Sequence, residues 1–314
     1  MGKTATREAY GLALAEFGSD ERIVVLDADL SKSTYTVTFK KVFPERHFNM
    51  GIAEANMISA ACGMATCGKI AFASTFAIFA AERGCEQIRN SACYPRLNVK
   101  ICATHAGISG GEDGASHQCI EDLAIMRSIP NLTVVQPCDA ASTRACIKAA
   151  IDTDGPFYVR LGRLAVEDIY SSDNIPFVIG KGNVIKSGND VTLIASGLMV
   201  QEAMKAADLL KEEGIDARVV DMHTIKPIDR DLIINAAKET GAIVTAEEHN
   251  IIGGLGGAVA EVIATSAPCV LRMVGVQDKF GKSCKPTELL EEYGLTASMI
   301  VLKAKEAIAI KQNK

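Results

Sequence analysis

An apolar run near the N-terminus reads Arg22-Ile23-Val24-Val25-Leu26-Asp27, and Ala28-Asp29 follow it directly. A short run with β-branched residues at its centre predicts a buried strand. Open α/β sheets bind their ligands at the carboxyl ends of their strands. The run therefore indicates an α/β fold and places Asp27 and Asp29 at the sheet edge where ligands bind.

Strand-like and helix-like segments alternate on the C-terminal side of this run, and a helical segment precedes it. Short apolar runs predict strands over residues 22–27, 47–50, 70–74, 99–104, 132–136, 157–161, 191–195, 217–220, 242–246 and 269–274. Helical periodicity predicts helices over residues 6–17, 53–66, 77–91, 120–128, 140–152, 199–213, 229–240 and 253–265. Such alternation is typical of a mostly parallel sheet that helices cover on both faces.

The pattern weakens between Asp168 and Asp190, where Ser171-Ser172-Asp173-Asn174-Ile175-Pro176 resembles a linker. A second, cleaner α/β unit begins at Asp190. We therefore predict two domains, residues 1–180 and residues 181–314, which suits a chain of 314 residues.

The composition is that of a globular protein, with 48% hydrophobic and 23% charged residues. A net charge of −5 gives no sign of nucleic-acid binding, and no apolar stretch is long enough to span a membrane. The ten cysteines include no C-x-x-C pair. Most lie in apolar surroundings and are predicted to be free, buried thiols of a cytoplasmic protein.

Two glycine-rich segments differ in their chemistry. Gly253-Gly254-Leu255-Gly256-Gly257 follows a strand and opens a helix, but it is not the G-x-G-x-x-G of a dinucleotide loop, so we predict a close-packed turn. The loop from Thr104 to Gln118 instead combines glycines with His105, His117, Glu112 and Asp113. Such groups exchange protons near neutral pH, so an active-site loop is favoured over a solvated polar loop or a metal site.

Glu54 stands alone at the start of an otherwise apolar predicted helix. A buried carboxylate needs a partner, whereas an exposed one at a helix start is favoured by the helix dipole. The local sequence leaves these two alternatives open.

Four segments that follow one another along the chain carry most of the recognisable pattern. They are Gly51-Ile52-Ala53-Glu54, Ser74-Thr75-Phe76-Ala77-Ile78-Phe79, Gly111-Glu112-Asp113-Gly114-Ala115-Ser116-His117-Gln118, and Pro130-Asn131 leading to Gln136-Pro137-Cys138-Asp139. Together they resemble the C-terminal half of transketolase, over essentially the whole chain. The resemblance implies a pyrimidine-binding domain of the thiamine-diphosphate-dependent fold over residues 1–180, followed by a transketolase C-terminal-like α/β domain over residues 181–314.

The resemblance also implies roles for individual side chains. Glu54 matches the catalytic glutamate that hydrogen-bonds the aminopyrimidine of thiamine diphosphate and favours the tautomer that activates the cofactor. Phe79 matches the aromatic residue that stacks on the pyrimidine, and Phe76 lines the same pocket. Asp113 and His117 match residues that bind the hydroxyl and carbonyl end of the sugar, and we count His117 with Glu54 as catalytic. The implied phosphate-binding group consists of Arg7, Ser33, His105 and Arg163.

The sequence departs from the family in two ways. It carries no G-D-G motif with a downstream Asn to hold Mg²⁺ and the diphosphate, and Glu82 stands where yeast-like transketolases have a tyrosine. The first departure implies an N-terminal partner subunit that carries this motif, in an α2β2 heterotetramer active only when both chains are present. The implied reaction transfers a two-carbon ketol unit between a ketose phosphate and an aldose phosphate, as in pentose phosphate metabolism.

The sequence leaves three alternative functions to be weighed against transketolase. Deoxyxylulose phosphate synthase is usually one long chain and typically lacks a histidine matching His105. The β subunit of a 2-oxo acid dehydrogenase usually lacks the Glu-Asp-Gly-x-x-His loop that begins at Glu112. A non-catalytic assembly protein on the same fold is disfavoured because so many of the matched site residues are present together.

Overall fold

A computed structural model describes residues 3–171, 175 and 177–313 of the chain. Most of the predicted linker cluster at 171–176 lies outside the described residues. The strands are β1 Lys3–Ala5, β2 Ile23–Asp27, β3 His47–Asn49, β4 Ile70–Phe76, β5 Val99–Thr104, β6 Thr133–Val135, β7 Phe157–Arg160, β8 Ala165–Glu167, β9 Asn183–Lys186, β10 Val191–Ala195, β11 Ala217–Asp221, β12 Thr224–Lys226, β13 Ala242–Asn250 and β14 Val270–Val276.

The α-helices pack around these strands. They are α1 Thr6–Phe17, α2 Val37–Val42, α3 Glu54–Thr66, α4 Cys85–Gln87, α5 Asp122–Ser128, α6 Ala140–Asp152, α7 Met199–Glu212, α8 Arg230–Thr240, α9 Leu255–Ser266, α10 Pro286–Glu292 and α11 Ala297–Gln312. Short 3₁₀ and π-helical turns connect several of them.

Two main sheets form the framework, and both are mostly parallel. The first has the order β12-β6-β7-β5-β4-β2-β3 and the second the order β14-β13-β10-β11-β9. Only the edge strands β12 and β9 run antiparallel to their neighbours in these two sheets as described. The predicted α/β class with parallel sheets is confirmed.

The strand β12 joins the two halves of the chain. It lies in the C-terminal half of the sequence but pairs with β6 at the edge of the first sheet. The sequence does not predict this crossing, because a strand of three residues carries too little pattern to show its partner. The domain boundary at residues 180 and 181 stays a prediction.

Burial explains why the central strands form where the apolar runs predict them. Every residue of β2 and of β4 is buried, as expected for parallel strands covered on both faces. The helix α6 begins where the sequence supplies a capping box: Asp139 Oδ1 accepts the Ser142 N–H at 2.7 Å, and the Asp139 N–H donates to Ser142 Oγ at 2.9 Å.

One predicted helix is wrong in detail. Residues 77–91 form no continuous α-helix; instead, π-helical turns over Phe79–Arg83 and Ile88–Cys93 flank the short α4. Gly84 lies between them, and a Cβ atom there would clash with Ile58 Cδ1, so a larger residue would force the buried Ile58 side chain to shift. The irregular turns place Phe79 and Arg83 toward the start of α3.

None of the ten cysteines forms a disulfide bond, as predicted, and six of them are buried. Cys67 is exposed, and Cys85, Cys269 and Cys284 are partly exposed, so burial is predicted correctly for most but not for all. Within the described ranges, no helix combines the length and the apolar character that a membrane span requires.

Candidate active site

Glu54 is the first residue of α3 and its side chain is only 3% exposed, so the burial alternative is the correct one. The carboxylate accepts hydrogen bonds from Arg83 Nη1, at 3.3 Å to Oε1 and 3.5 Å to Oε2. The guanidinium of Arg83 also lies over the ring of Phe79, 4.1 Å from its centroid. Glu54 and Phe79 are therefore linked through one arginine.

Aromatic rings line the same site. The rings of Phe76 and Phe79 stack nearly parallel, with centroids 5.8 Å apart and planes 12° apart. The imidazole of His105 stacks on Phe76 at 3.8 Å, and that of His117 meets Phe79 edge-on at 5.3 Å. The predicted cofactor residues and both loop histidines thus belong to one cluster.

Arg83 is the site residue that sequence reasoning missed. It follows Phe79 by one helical turn, and residues at that spacing lie on one face of a helix. That spacing is the signal by which it could have been found.

Arg7, Ser33 and His105 meet at the next part of the site. Arg7 Nη1 donates to the Ser33 carbonyl at 2.9 Å and lies 3.2 Å from His105 Nε2. Burial lowers the pKa of His105 to about 3, and the charges of Arg7 and Arg163 lower it as well. His105 is therefore neutral at neutral pH.

The turn that carries Ser33 is fixed by Asp27, whose carboxylate is buried at the end of β2. Asp27 Oδ2 accepts the hydroxyls of Thr34 at 2.6 Å and Thr36 at 3.0 Å, and Oδ1 accepts the Leu30 N–H at 2.5 Å. Asp27 is thus occupied by its own turn.

Arg163 contacts the loop itself. Its Nη1 donates to the Gly110 carbonyl at 2.8 Å and to Glu112 Oε2 at 2.9 Å. Gly111 has a φ of +72°, and a Cβ atom there would lie 2.8 Å from Arg163 Nη1. Glycine at this position therefore allows the loop to pass beside the guanidinium.

Asp113 and His117 lie on the solvent side of the loop. Asp113 is exposed. Burial lowers the pKa of Arg7, as does the charge of Arg163, and the charge of Asp113 only partly offsets this. His117 Nδ1 lies 3.0 Å from Ser116 Oγ. The structure thus brings together all of the predicted substrate residues, with Ser33 contributing its backbone carbonyl.

Side chains and carbonyls from the C-terminal half hold the loop in place. Glu248 of β13 is buried, and its Oε1 accepts the Ser109 N–H at 2.6 Å. Gln118 Nε2 donates to the carbonyls of Gly111 and Lys282, each at 2.9 Å. The sequence gives no sign of the contacts with Glu248 and Lys282, because they join residues far apart along the chain.

A buried ion pair lies beneath the loop. Arg160 Nε donates to Asp122 Oδ2 at 2.8 Å, and Arg160 Nη2 donates to the carbonyls of Cys119 at 3.2 Å and Glu248 at 3.0 Å. Burial raises the pKa of Asp122, but the charge and hydrogen bonds of Arg160 outweigh it and hold that pKa below its usual range. The pair ties the end of the loop to β13.

The second glycine-rich segment is a packed turn, as predicted. Glu247 accepts the N–H groups of Leu255 at 2.6 Å and Gly256 at 2.7 Å, so a side chain of this chain binds the first amides of α9. A Cβ atom on Gly254 would lie 2.0 Å from Glu247 Oε2.

The acidic residue Glu82 lies beside Glu121. Burial raises the pKa of Glu121, and the charge of Glu82 raises it further.

In the part of the chain that the structure describes, no three His, Cys, Asp or Glu side chains form a group that could hold a metal ion.

Comparison with known families accounts for both halves of the chain. Residues 2–168 match the family model of the transketolase pyrimidine binding domain, and residues 180–300 match that of the transketolase C-terminal domain. The chain belongs to the transketolase family. The family resemblance stated from the motifs is therefore confirmed.

Two curated relatives match this transketolase chain over nearly their whole length. A putative transketolase C-terminal section of Methanocaldococcus jannaschii is 52% identical, over 96% of this chain and 95% of the relative. A 6-deoxy-6-sulfo-D-fructose transketolase subunit of Clostridium sp. (strain MSTE9) is 43% identical, over 96% of this chain and 93% of the relative. The chain thus corresponds to the C-terminal section of transketolase, and the relatives favour transketolase over the related enzymes considered above.

A solved structure agrees with this correspondence. It is described as a split gene transketolase, inactive beta4 tetramer, and is 56% identical to this chain. The match covers 99% of this chain and 100% of that one, with a TM-score of 0.91. The fold prediction is confirmed, whereas the roles given to individual site residues stay predictions.

Proposed function

We propose that this chain is the catalytic C-terminal subunit of a two-chain transketolase, which moves a two-carbon ketol unit from a ketose phosphate to an aldose phosphate. The observation that carries the proposal is the buried carboxylate of Glu54 beside the stacked rings of Phe76 and Phe79. The relatives named as a C-terminal section and as a subunit support the two-chain arrangement.

The residues of this site fit the aminopyrimidine of thiamine diphosphate. Phe79 offers an aromatic face to a flat heterocycle, and Glu54 offers a carboxylate shielded from water to a ring nitrogen. Thiamine diphosphate, when bound, supplies the carbon nucleophile that the ketol transfer requires. In this proposal Glu54 holds and releases the proton at the pyrimidine nitrogen, and the phenylalanines orient the ring.

Arg7 and Arg163 give the site its preference for an anionic sugar. Both guanidiniums contact residues of the loop, and the neutral imidazole of His105 lies against Arg7. Arginines bind phosphate through two N–H groups at once. We assign the phosphate of the sugar to Arg7, Arg163, His105 and the Ser33 turn, and its hydroxyl and carbonyl end to Asp113 and His117.

The diphosphate and Mg²⁺ would be held by an N-terminal subunit with the G-D-G motif and its downstream Asn. An α2β2 heterotetramer would then complete each site between chains of opposite type. Ten cysteines without a disulfide bond suit a reducing cytoplasm, where an enzyme of pentose phosphate and related carbohydrate metabolism would work.

Mixing the two chains tests the proposal. The full chain, its N-terminal partner, thiamine diphosphate and Mg²⁺ are assayed together and separately against a panel of ketose phosphate and sulfo-sugar donors. We expect ketol transfer only from the mixture, and loss of transfer on Glu54→Gln but not on Glu45→Gln, an exposed glutamate that serves as the matched control. No transfer by the mixture on any donor would overturn the proposal.

A further inference from the structure

Arg83 makes, within this chain, the two contacts that the proposed function gives to the cofactor's aminopyrimidine. Its guanidinium lies over the face of Phe79, 4.1 Å from the ring centroid. The same guanidinium donates to both oxygens of Glu54. A guanidinium is flat and carries N–H groups at its edge, so it can stack on a ring and bind a carboxylate at once.

We propose that Arg83 is a plug that covers Glu54 and Phe79 in the isolated subunit and must move aside when the aminopyrimidine binds. The inference rests on the proposed function, because it takes thiamine diphosphate as the cofactor. Arg83 is in this view a gating residue that competes with the cofactor and has no chemical step of its own.

The geometry of Arg83 suits a contact that can be broken. Its side chain is 52% exposed, whereas that of Glu54 is 3% exposed, so the arginine reaches the carboxylate from the solvent side. The donor–acceptor distances of 3.3 and 3.5 Å are longer than those of a tight charge-assisted bond. Arg83 is also the last residue of a π-helical turn and precedes Gly84, where the helix is interrupted.

The plug also gives Glu54 a partner before the cofactor arrives. A buried carboxylate without a partner destabilises the folded chain. Removal of Arg83 should therefore weaken the isolated chain and strengthen cofactor binding, since both the competitor and the partner of the free state are lost. A purely structural arginine would weaken both.

The test measures binding and stability separately. Calorimetric titration of thiamine diphosphate with Mg²⁺ into the two-chain complex compares wild type with Arg83→Ala, Arg83→Lys and the matched control Arg89→Ala. Arg89 is an exposed arginine on the next helical turn. Arg83→Ala should tighten binding about five- to tenfold, from the loss of one exposed cation–π contact and one ion pair. Arg83→Lys should fall between, and Arg89→Ala should match wild type.

Thermal unfolding of the isolated chain completes the test. Arg83→Ala should lower Tm by about 2 °C, and the same change in a Glu54→Gln background should lower Tm by less, because only the contact with Phe79 is then lost. Equal or weaker cofactor binding by Arg83→Ala, or an equal Tm loss in both backgrounds, would overturn the plug. If the wild-type complex binds no thiamine diphosphate, the proposed function fails instead, while the Tm comparison still reports on the pair.

Discussion

Replacing Glu248 tests whether this residue anchors the loop over residues 104–118 without taking part in the chemistry. The carboxylate is buried in β13, and it accepts the N–H of Ser109, which is buried as well. Glu248→Ala leaves that donor without a partner, and a buried hydrogen bond to a charged group contributes about 1.5–3 kcal/mol. We expect the free energy of unfolding to fall by about 2–3 kcal/mol for Glu248→Ala, and by less than about 1 kcal/mol for Glu248→Gln, which keeps an acceptor oxygen.

The assay is urea unfolding of the isolated chain at pH 7, followed by steady-state kinetics of the two-chain complex. The Michaelis constant for the sugar phosphate should rise for Glu248→Ala, because loop 104–118 loses an anchor, while thiamine diphosphate affinity stays unchanged. Glu261→Ala is the control, since Glu261 is exposed and its ion pair with Arg127 contributes at most about 1 kcal/mol. Equal stability losses for Glu248→Ala and Glu248→Gln, or an unchanged Michaelis constant, would refute the anchoring role.

Two further predictions concern stability alone. Burial raises the pKa of Asp221 to about 7, so the folded chain holds this proton more tightly than the unfolded chain does and loses stability as pH rises from about 4 to 7. Asp221→Asn can still accept a hydrogen bond from the Tyr170 hydroxyl. Its free energy of unfolding should rise relative to that of wild type over this pH range, by up to about 1.4 kcal/mol per pH unit. The same pH dependence for both proteins in urea unfolding would contradict this. Asp139→Ala should lower the free energy of unfolding by at least about 1 kcal/mol, because the cap of α6 and the hydrogen bonds from the Ile169 and Tyr170 N–H groups to Oδ2 are lost. Asp139→Asn, which keeps one acceptor oxygen, should lose less in the same measurement, and equal losses would contradict this.

The sequence predicts the central strands and the loop because their signals are local. The apolar run before Asp27 and the run at β10 are long enough to require burial on both faces. The loop from Thr104 to Gln118 shows its histidines and carboxylates directly. The order of the four quoted segments then indicates the family, which no single segment establishes.

What the sequence misses depends on contacts between distant residues. The pairing of β12 with β6 and the bond from Ser109 to Glu248 arise only when the two sheets come together. The sequence leaves the burial of Glu54 open for the same reason, because that burial depends on Arg83 and on the π-helical turn that carries Arg83. A local pattern can state that a carboxylate is costly to bury, but not that a partner is present.

The role of Glu54 is tested most directly by the rate at which the thiazolium C2 proton of thiamine diphosphate exchanges with deuterium in the two-chain complex. We expect rapid exchange with wild type, exchange at least about a hundredfold slower with Glu54→Gln, and unimpaired exchange with Glu45→Gln. Exchange by the Glu54→Gln complex at the wild-type rate would contradict the claim that this chain supplies the activating carboxylate.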